Sequence, residues 1–381
     1  MNSFRNRLTS CLSFTTFLFL ALLLLAPGCS KKETGVIKIG AIIPLSGPFA
    51  AYGEPVRDGM FLAVELINAE GGINGRKIEI ILEDDGGDPK TSVNAFTKLA
   101  TVSKVPIVIG PLSSGASMAT APLADRYGVV QLSTLAGTID LSKAGDFVFR
   151  IYPSSEVGSH YIANVAVERF QAKSVAILYP NNSFGVTSNK FISEVMSEAG
   201  IDIVTVETYN DGDRDFRTQL AKIKRANPDL LLCSAYYEDG AQILVQAQQL
   251  GLSIPVLGED GWFGPIANMV GAGIENLYFA NAAFGSEYTN NPIMQKFIKK
   301  YEEQFNKKAN SYAGAGYAGV EIVKHCIEIA GLDGTEIKQT LYALDLLTAF
   351  GQIKFDENGD NVGAVYDLFQ LNELNEPVLV K

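Results

Sequence analysis

From Ile37 the chain alternates short apolar runs with segments of helical periodicity, and that alternation leaves few folds open to it. Ile37 to Pro44 and Ile78 to Glu83 read as strands, with a helix opening at Pro55 between them and another from Pro89. Val56, Met60, Ala63 and Ile67 fall on one face of the first helix, and Val93, Phe96 and Ala100 on one face of the second. Val105 to Ile109 and Val129 to Leu132 add two more strands. Repeated strand–helix–strand units of this kind form a parallel sheet with helices on its faces.

After Phe147 to Pro153, an apolar run ending in Pro-Ser-Ser, the pattern starts again. Val175 to Tyr179, Ile201 to Val206, Leu230 to Ala235 and Pro255 to Gly258 are strand-like, and Phe216, Leu220 and Ile223 form a helical stripe between them. At 381 residues and 47% hydrophobic content the chain can bury two cores, so the second series reads as a second lobe. Beyond Leu277 to Asn281 the order changes to helices at Pro292 to Phe305, Ser311 to Ala330 and Glu336 to Leu344. Two strands, Gly351 to Phe355 and Ala364 to Leu371, then flank the turn Asp356 to Asp360. Helices in succession cannot extend a parallel sheet, so they are expected to return to the first lobe. The chain then crosses between lobes more than once, which makes a hinge.

The stretch Val105 to Gly128 is where a ligand would sit. A buried strand runs into Gly110 and Pro111, and helical spacing begins near Ala116, with Ser113, Ser114 and Gly115 at the turn. The first amides of a helix have no partner within it and attract anions, and open α/β sheets bind ligands at the carboxyl ends of their strands. The plainer reading is that the serines only cap the helix.

The N-terminus reads as an export signal. Arg5 and Arg7 precede an apolar run from Phe17 to Ala26, too short for a bilayer crossing at about 20 residues. Gly28 and Cys29 follow, and this resembles the lipobox of bacterial lipoproteins, in which the cysteine is acylated. Residues 1–28 are therefore expected to be a signal peptide and 29–35 a tether anchored through Cys29. Removing 1–28 leaves 29 basic against 42 acidic residues, a net charge of −13 that makes nucleic acid a poor partner. Cys233 and Cys326 then remain, both in apolar contexts, the latter at helical spacing with Ile322 and Ile329; two free, inert thiols are expected.

Other motifs fail on context. Gly314, Gly316 and Gly319 match a dinucleotide fingerprint, but no strand precedes them, and small residues at this spacing let a helix pack closely. Asp211, Asp213 and Asp215 open like a calcium loop, yet Phe216 and Lys222 occupy the positions needing Gly and Glu; a solvated turn with Asp215 capping the next helix fits better. His160 and His325 sit in no local cluster of metal ligands. Ser113 and Ser114 lack the nucleophile-elbow pattern, because Pro111 stands where its first glycine belongs. No cofactor, no metal and no catalysis are expected.

The combination of IGAIIPLSGPFAAYG (Ile39 to Gly53), INAEGGINGRKIEIILEDD (Ile67 to Asp85), DPK (Asp88 to Lys90) and IGPLSS (Ile109 to Ser114) resembles the leucine/isoleucine/valine-binding family of periplasmic solute receptors. The resemblance continues through YPNNSFG (Tyr179 to Gly185), PDLLL (Pro228 to Leu232) and Gln242 to Gly251, and so covers nearly all of the mature chain. It implies an α/β fold of two Rossmann-like lobes with parallel-sheet cores joined by three hinge crossovers, the type I periplasmic binding protein. The lobes would be residues 36–153 with 286–348, and 154–285 with 349–381.

The resemblance also implies a function: an exported, lipid-anchored, monomeric receptor, periplasmic or at the cell surface, that delivers an α-amino acid to an ABC permease in the inner membrane. The loop matching Ser114 would hold the ligand carboxylate, aided by the strand end at Leu135, Gly137 and Thr138. Asp260, across the cleft, would pair with the α-ammonium. Phe184 and Tyr236 would wall the site, with Tyr52 near the cleft in the first lobe. Gly137 falls where the family often has a threonine, Phe184 lacks a phenolic donor common at its position, and Asp260 is shorter than the glutamate of some members. The same fold could take an aromatic carboxylate, an amide or a urea-like solute, or serve a sensor acting on a membrane receptor.

The physics favours a zwitterion. A helix start contributes about 0.3 to 1 kcal/mol to a nearby anion, up to about 2 when partly buried. Desolvating one charge costs several kcal/mol. Amide donors for the carboxylate and Asp260 for the ammonium would leave neither charge unpaired.

Overall fold

The structure is a computed structural model that describes residues 35–262, 266–270, 276–282, 291–372 and 377–380. The signal sequence and Cys29 lie outside the described residues. The first half of the alternation is β1 (Ile37–Ile42), α1 (Ala50–Ala69), β2 (Ile78–Glu83), α2 (Pro89–Lys98), β3 (Ile107–Ile109), α3 (Ser114–Tyr127), β4 (Val130–Ser133) and β5 (Val148–Arg150). The second series is α4 (Ser155–Glu168), β6 (Ser174–Pro180), α5 (Ser183–Glu198), β7 (Asp202–Tyr209), α6 (Arg217–Ala226), β8 (Leu230–Cys233), α7 (Tyr237–Gln249), β9 (Val256–Gly258), α8 (Ile266–Met269) and β10 (Leu277–Ala282). Then come α9 (Pro292–Phe305), α10 (Ser311–Ala330), α11 (Gly334–Tyr342), β11 (Asp345–Thr348), β12 (Gly351–Lys354), β13 (Tyr366–Leu371) and β14 (Pro377–Leu379).

Each lobe is built on its own sheet. The first is fully parallel in the order β2-β1-β3-β4-β5. The second runs β14-β13-β10-β9-β8-β6-β7, parallel except where β13 joins β10 and β14 joins β13. In both, successive strands depart to opposite sides of a central pair, β1 and β3 in the first and β6 and β8 in the second. A crevice opens at the carboxyl ends of such a pair, because the loops there diverge.

Burial follows the apolar periodicity. Val56, Met60, Ala63 and Ile67 of α1 are all buried, as are Phe216, Leu220 and Ile223 beside and within α6. Helix α10 packs along α1 closely enough that a side chain at Gly316 would strike the Val56 carbonyl, its Cβ falling 2.1 Å from that oxygen. The Gly314–Gly316–Gly319 run is thus a helix-packing surface. Cys233 and Cys326 are free and buried, and burial raises both thiols.

Three expectations are corrected. The first helix starts at Ala50, not Pro55: the proline sits inside it, where it forgoes one bond to a carbonyl four residues back, and the early start buries Tyr52. Gly351–Lys354 does not flank a hairpin with Tyr366–Leu371. It pairs with β11 across a tight turn that the Thr348 hydroxyl ties by accepting from Phe350 N and donating to Gly351 O, while β13 joins the second sheet. Ile329 leaves the stripe of Ile322 and Cys326 and is exposed, while Ile327 and Ala330 keep the same last turn of α10 on the core.

The chain passes between the sheets at Ile151–Ser154, between Ala282 and Asn291, and at 362–365. Side chains bind these passages together. Tyr152 Oη donates to Asn281 Oδ1 at 3.0 Å, and Asn361 Nδ2 donates to the Ile151 carbonyl at 2.8 Å.

Candidate functional site

The loops after the central strands of both sheets line one cavity, whose empty space together with its open mouth is about 560 Å³. From the first lobe come Phe49 and Tyr52 after β1, Leu112, Ser113 and Ser114 after β3, and Leu135 and Gly137 after β4. Facing them are Phe184 after β6, Tyr236 after β8, and Asp260 and Gly261 after β9. Tyr152 and Pro153 of the first crossover, Ser155 at the start of α4 and Tyr312 of α10 complete the wall.

Helix α3 aims its start at this space. Ser113 is the N-cap, accepting from Ala116 N at 3.3 Å, while the hydroxyls of Ser117 and Ser133 both donate to Pro111 O and fix the loop ahead of it. Ser114 is buried and its Oγ accepts from Thr138 N at 3.2 Å. The loop around Thr138 is held from behind by Arg150, which is fully buried, donates to Thr138 O at 2.7 Å and to Ala136 O, and is ion-paired with Asp360.

On the opposite wall Asp260 keeps one carboxylate oxygen bonded to Tyr366 Oη at 2.8 Å, while its carbonyl accepts from Tyr312 Oη at 2.7 Å. Burial pushes its carboxyl up to about 6, against the donation from Tyr366. Beneath it lies Glu259, accepting from Ser159 and Ser188 at 2.8 and 2.9 Å. Burial first, and the neighbouring Asp260 second, push Glu259 up to about 8. At neutral pH this pair therefore carries about one negative charge rather than two, which matches one ammonium.

The walls between these poles are aromatic. Phe184 stacks on Tyr236 with centroids 5.3 Å apart, and Phe49 meets Tyr236 edge-on at 5.1 Å. Tyr52 packs against Tyr237 and Tyr312.

Of the residues singled out in the sequence, Tyr52, Ser114, Leu135, Gly137, Phe184, Tyr236 and Asp260 line this one space. Thr138 does not: its hydroxyl is buried without a hydrogen-bond partner behind the wall, and only its backbone reaches the site through Ser114. The sequence reading missed Phe49, Tyr152, Ser155, Tyr312 and the Tyr366 that orients Asp260. The Pro-Ser-Ser at the end of the first crossover was the only local hint of any of them. Among the described residues no group of three His, Cys, Asp or Glu could hold a metal ion, and no helix is long and apolar enough to cross a membrane.

Residues 36–375 match the family model described as periplasmic binding protein. The chain is 28% identical over 351 residues to Leu/Ile/Val-binding protein homolog 3 of Brucella melitensis, covering 91% of this chain and 94% of that one. It resembles the branched-chain amino acid transporter substrate binding protein LivJ of Streptococcus pneumoniae, solved in complex with isoleucine, at 29% identity and a TM-score of 0.83, over 91% and 99% of the two chains. The leucine binding protein LivK of Thermotoga maritima superposes at a TM-score of 0.84 with 26% identity, over 91% and 98%.

Proposed function

The chain belongs to the periplasmic binding protein family, and from that premise we propose that it is the extracytoplasmic receptor of an ABC importer, binding a branched-chain or other apolar α-amino acid between its lobes. One observation carries the reading: a single aromatic-walled cavity has a helix start with Ser114 at one pole and Asp260 at the other. A zwitterion spanning the two poles has both charges answered, and its side chain meets Phe49, Phe184 and Tyr236. The relatives named for leucine, isoleucine and valine, and the neighbour holding isoleucine, support the same class of guest.

In this reading Ser114 and the backbone around Leu135 to Thr138 hold the carboxylate, Asp260 holds the ammonium, and Tyr52 closes the cleft. The protein acts as a monomeric binder without catalysis, tethered through an acylated Cys29 after removal of residues 1–28. The lobes are taken as 36–153 with 286–348 and 154–285 with 349–381; the pairing of β12 with β11 and of Asp360 with Arg150 supports counting residues 351–361 with the first lobe instead.

Calorimetry with a panel of amino acids tests the ligand class. Tight binding of leucine, isoleucine or valine is expected, whereas binding of only amine-free carboxylates, amides or urea-like solutes would overturn it.

A further inference from the structure

Gly137 leaves a gap in the carboxylate pole, and another residue fills it. A Cβ built on Gly137 would lie 2.2 Å from Ser155 Oγ and 3.5 Å from Ser155 Cβ, so the hydroxyl of Ser155 occupies the place where a side chain at 137 would begin. Ser155 is the first residue of α4, which packs on the second sheet against β8, β9 and β10. It lines the cavity, is 7% exposed, and its hydroxyl makes no hydrogen bond among the described residues, although its backbone amide donates to Gly137 O at 2.7 Å. The helix start around it is also unfilled, because the N-cap Ser154 makes no side-chain capping bond.

The start of α3 approaches the same point from the first lobe. Ser114 Oγ accepts from Thr138 N, and Gly137 O accepts from Ser155 N, so two consecutive residues of one loop stitch the two helix starts together. Ser114 and Ser155 thus flank one end of the cavity from different lobes, each at the positive end of a helix of 14 residues.

Resting on the amino-acid reading above, we infer that Ser155 is a ligand-binding residue whose hydroxyl donates to the guest's carboxylate from the second lobe, supplying the hydroxyl that position 137 lacks. The carboxylate is then shared between lobes, not held by the first alone. Closure is rewarded at both poles of the guest: at the ammonium by Asp260 and at the carboxylate by Ser155. A neutral amide or urea-like solute would forgo the charge-assisted part of this bond.

The test is calorimetry of wild type and variants with L-leucine and L-leucinamide, and with L-phenylalanine and its amide as a second pair. Ser155→Ala, a substitution the first turn of a helix accommodates, is expected to weaken binding of the amino acid by about ten- to a hundredfold, the range for a lost hydrogen bond to a charged group. It should weaken binding of the amide less, by about two- to tenfold, the range for a neutral hydrogen bond, and retained amide binding also reports that the site remains folded. Gly137→Thr in the Ser155→Ala protein, where the obstructing oxygen is gone, should recover much of the loss. Equal binding of the amino acid by wild type and Ser155→Ala, an equal loss for acid and amide, or a double variant as weak as the single would overturn the inference while leaving the amino-acid reading standing. Failure of the wild type to bind either amino acid, or any other, removes that reading and this inference with it.

Discussion

Tyr52 reaches across the cleft to Gly261: its hydroxyl donates to the Gly261 carbonyl at 2.8 Å while accepting from the Tyr237 amide at 2.9 Å. One oxygen from the first lobe therefore satisfies two backbone groups of the second, in the ring of aromatic contacts that shuts the cavity. Desolvation raises its pKa well above that of a free phenol, so it stays neutral and donating at any physiological pH.

Tyr52→Phe should therefore shift the balance toward open lobes without touching either pole of the guest. Loss of two hydrogen bonds at roughly 0.5 to 1.5 kcal/mol each predicts about five- to a hundredfold weaker binding. Faster ligand dissociation in stopped-flow fluorescence should account for most of the change; an unaltered dissociation rate would show that the bond has no part in closure.

The buried Arg150–Asp360 pair is expected to be a stability determinant. Arg150 ties the loop at Ala136 and Thr138 to Asp360, just ahead of the third crossover, and removing one partner leaves the other charge uncompensated. Arg150→Met should lower the free energy of unfolding by about 3 to 5 kcal/mol. Urea denaturation measures it, and a change below about 1 kcal/mol would mean that the pair contributes no more than a surface one.

The strand end and helix start at Ser113 and Ser114 were legible from local chemistry, whereas Asp260 was suggested by the family resemblance alone. Apolar runs placed the strands, and the Ser113–Ser114 turn placed the helix start, because caps and strand ends are written in neighbouring residues. What escaped depends on distance along the chain. Tyr366 reaches Asp260 across 106 positions, and Ser155 matters only because Gly137, on another loop, leaves room for it. The early start of α1 and the pairing of β11 with β12 were hidden for a different reason: tertiary packing overrode a proline in one case, and in the other a strand of four residues was too short to show a period.

The free protein should lose stability as pH rises from about 4 to about 8. Burial raises Glu259 to about 8, Glu321 to about 7, and Asp239 and Asp260 to about 6. Each folded-state value lies above that of the unfolded chain, so the folded protein binds more protons in this window. The stability these groups contribute is full below the ordinary carboxylate range and is lost as pH rises through their folded values. Melting temperatures at pH 5.5 and 8 provide the check, and Glu259→Gln should flatten the decline. A Tm rising steadily toward pH 8 would contradict it.

Asp260 ties ligand choice to pH. In the free protein its carboxyl titrates at about 6, and an ammonium beside it lowers that value, so binding an amino acid below pH 6 must expel a proton. Affinity should fall by up to about tenfold per unit as pH drops below 6. The heat of binding at low pH should then depend on the ionisation enthalpy of the buffer. An amine-free carboxylate would behave oppositely, because it gains nothing from an ionised Asp260 and is repelled by it. Asp260→Asn separates the two: it keeps the hydrogen-bonding outline next to Tyr366, removes the charge, and should abolish both the pH dependence and tight amino-acid binding. Tight, pH-independent binding of leucine by wild type would place the ammonium elsewhere in the cavity.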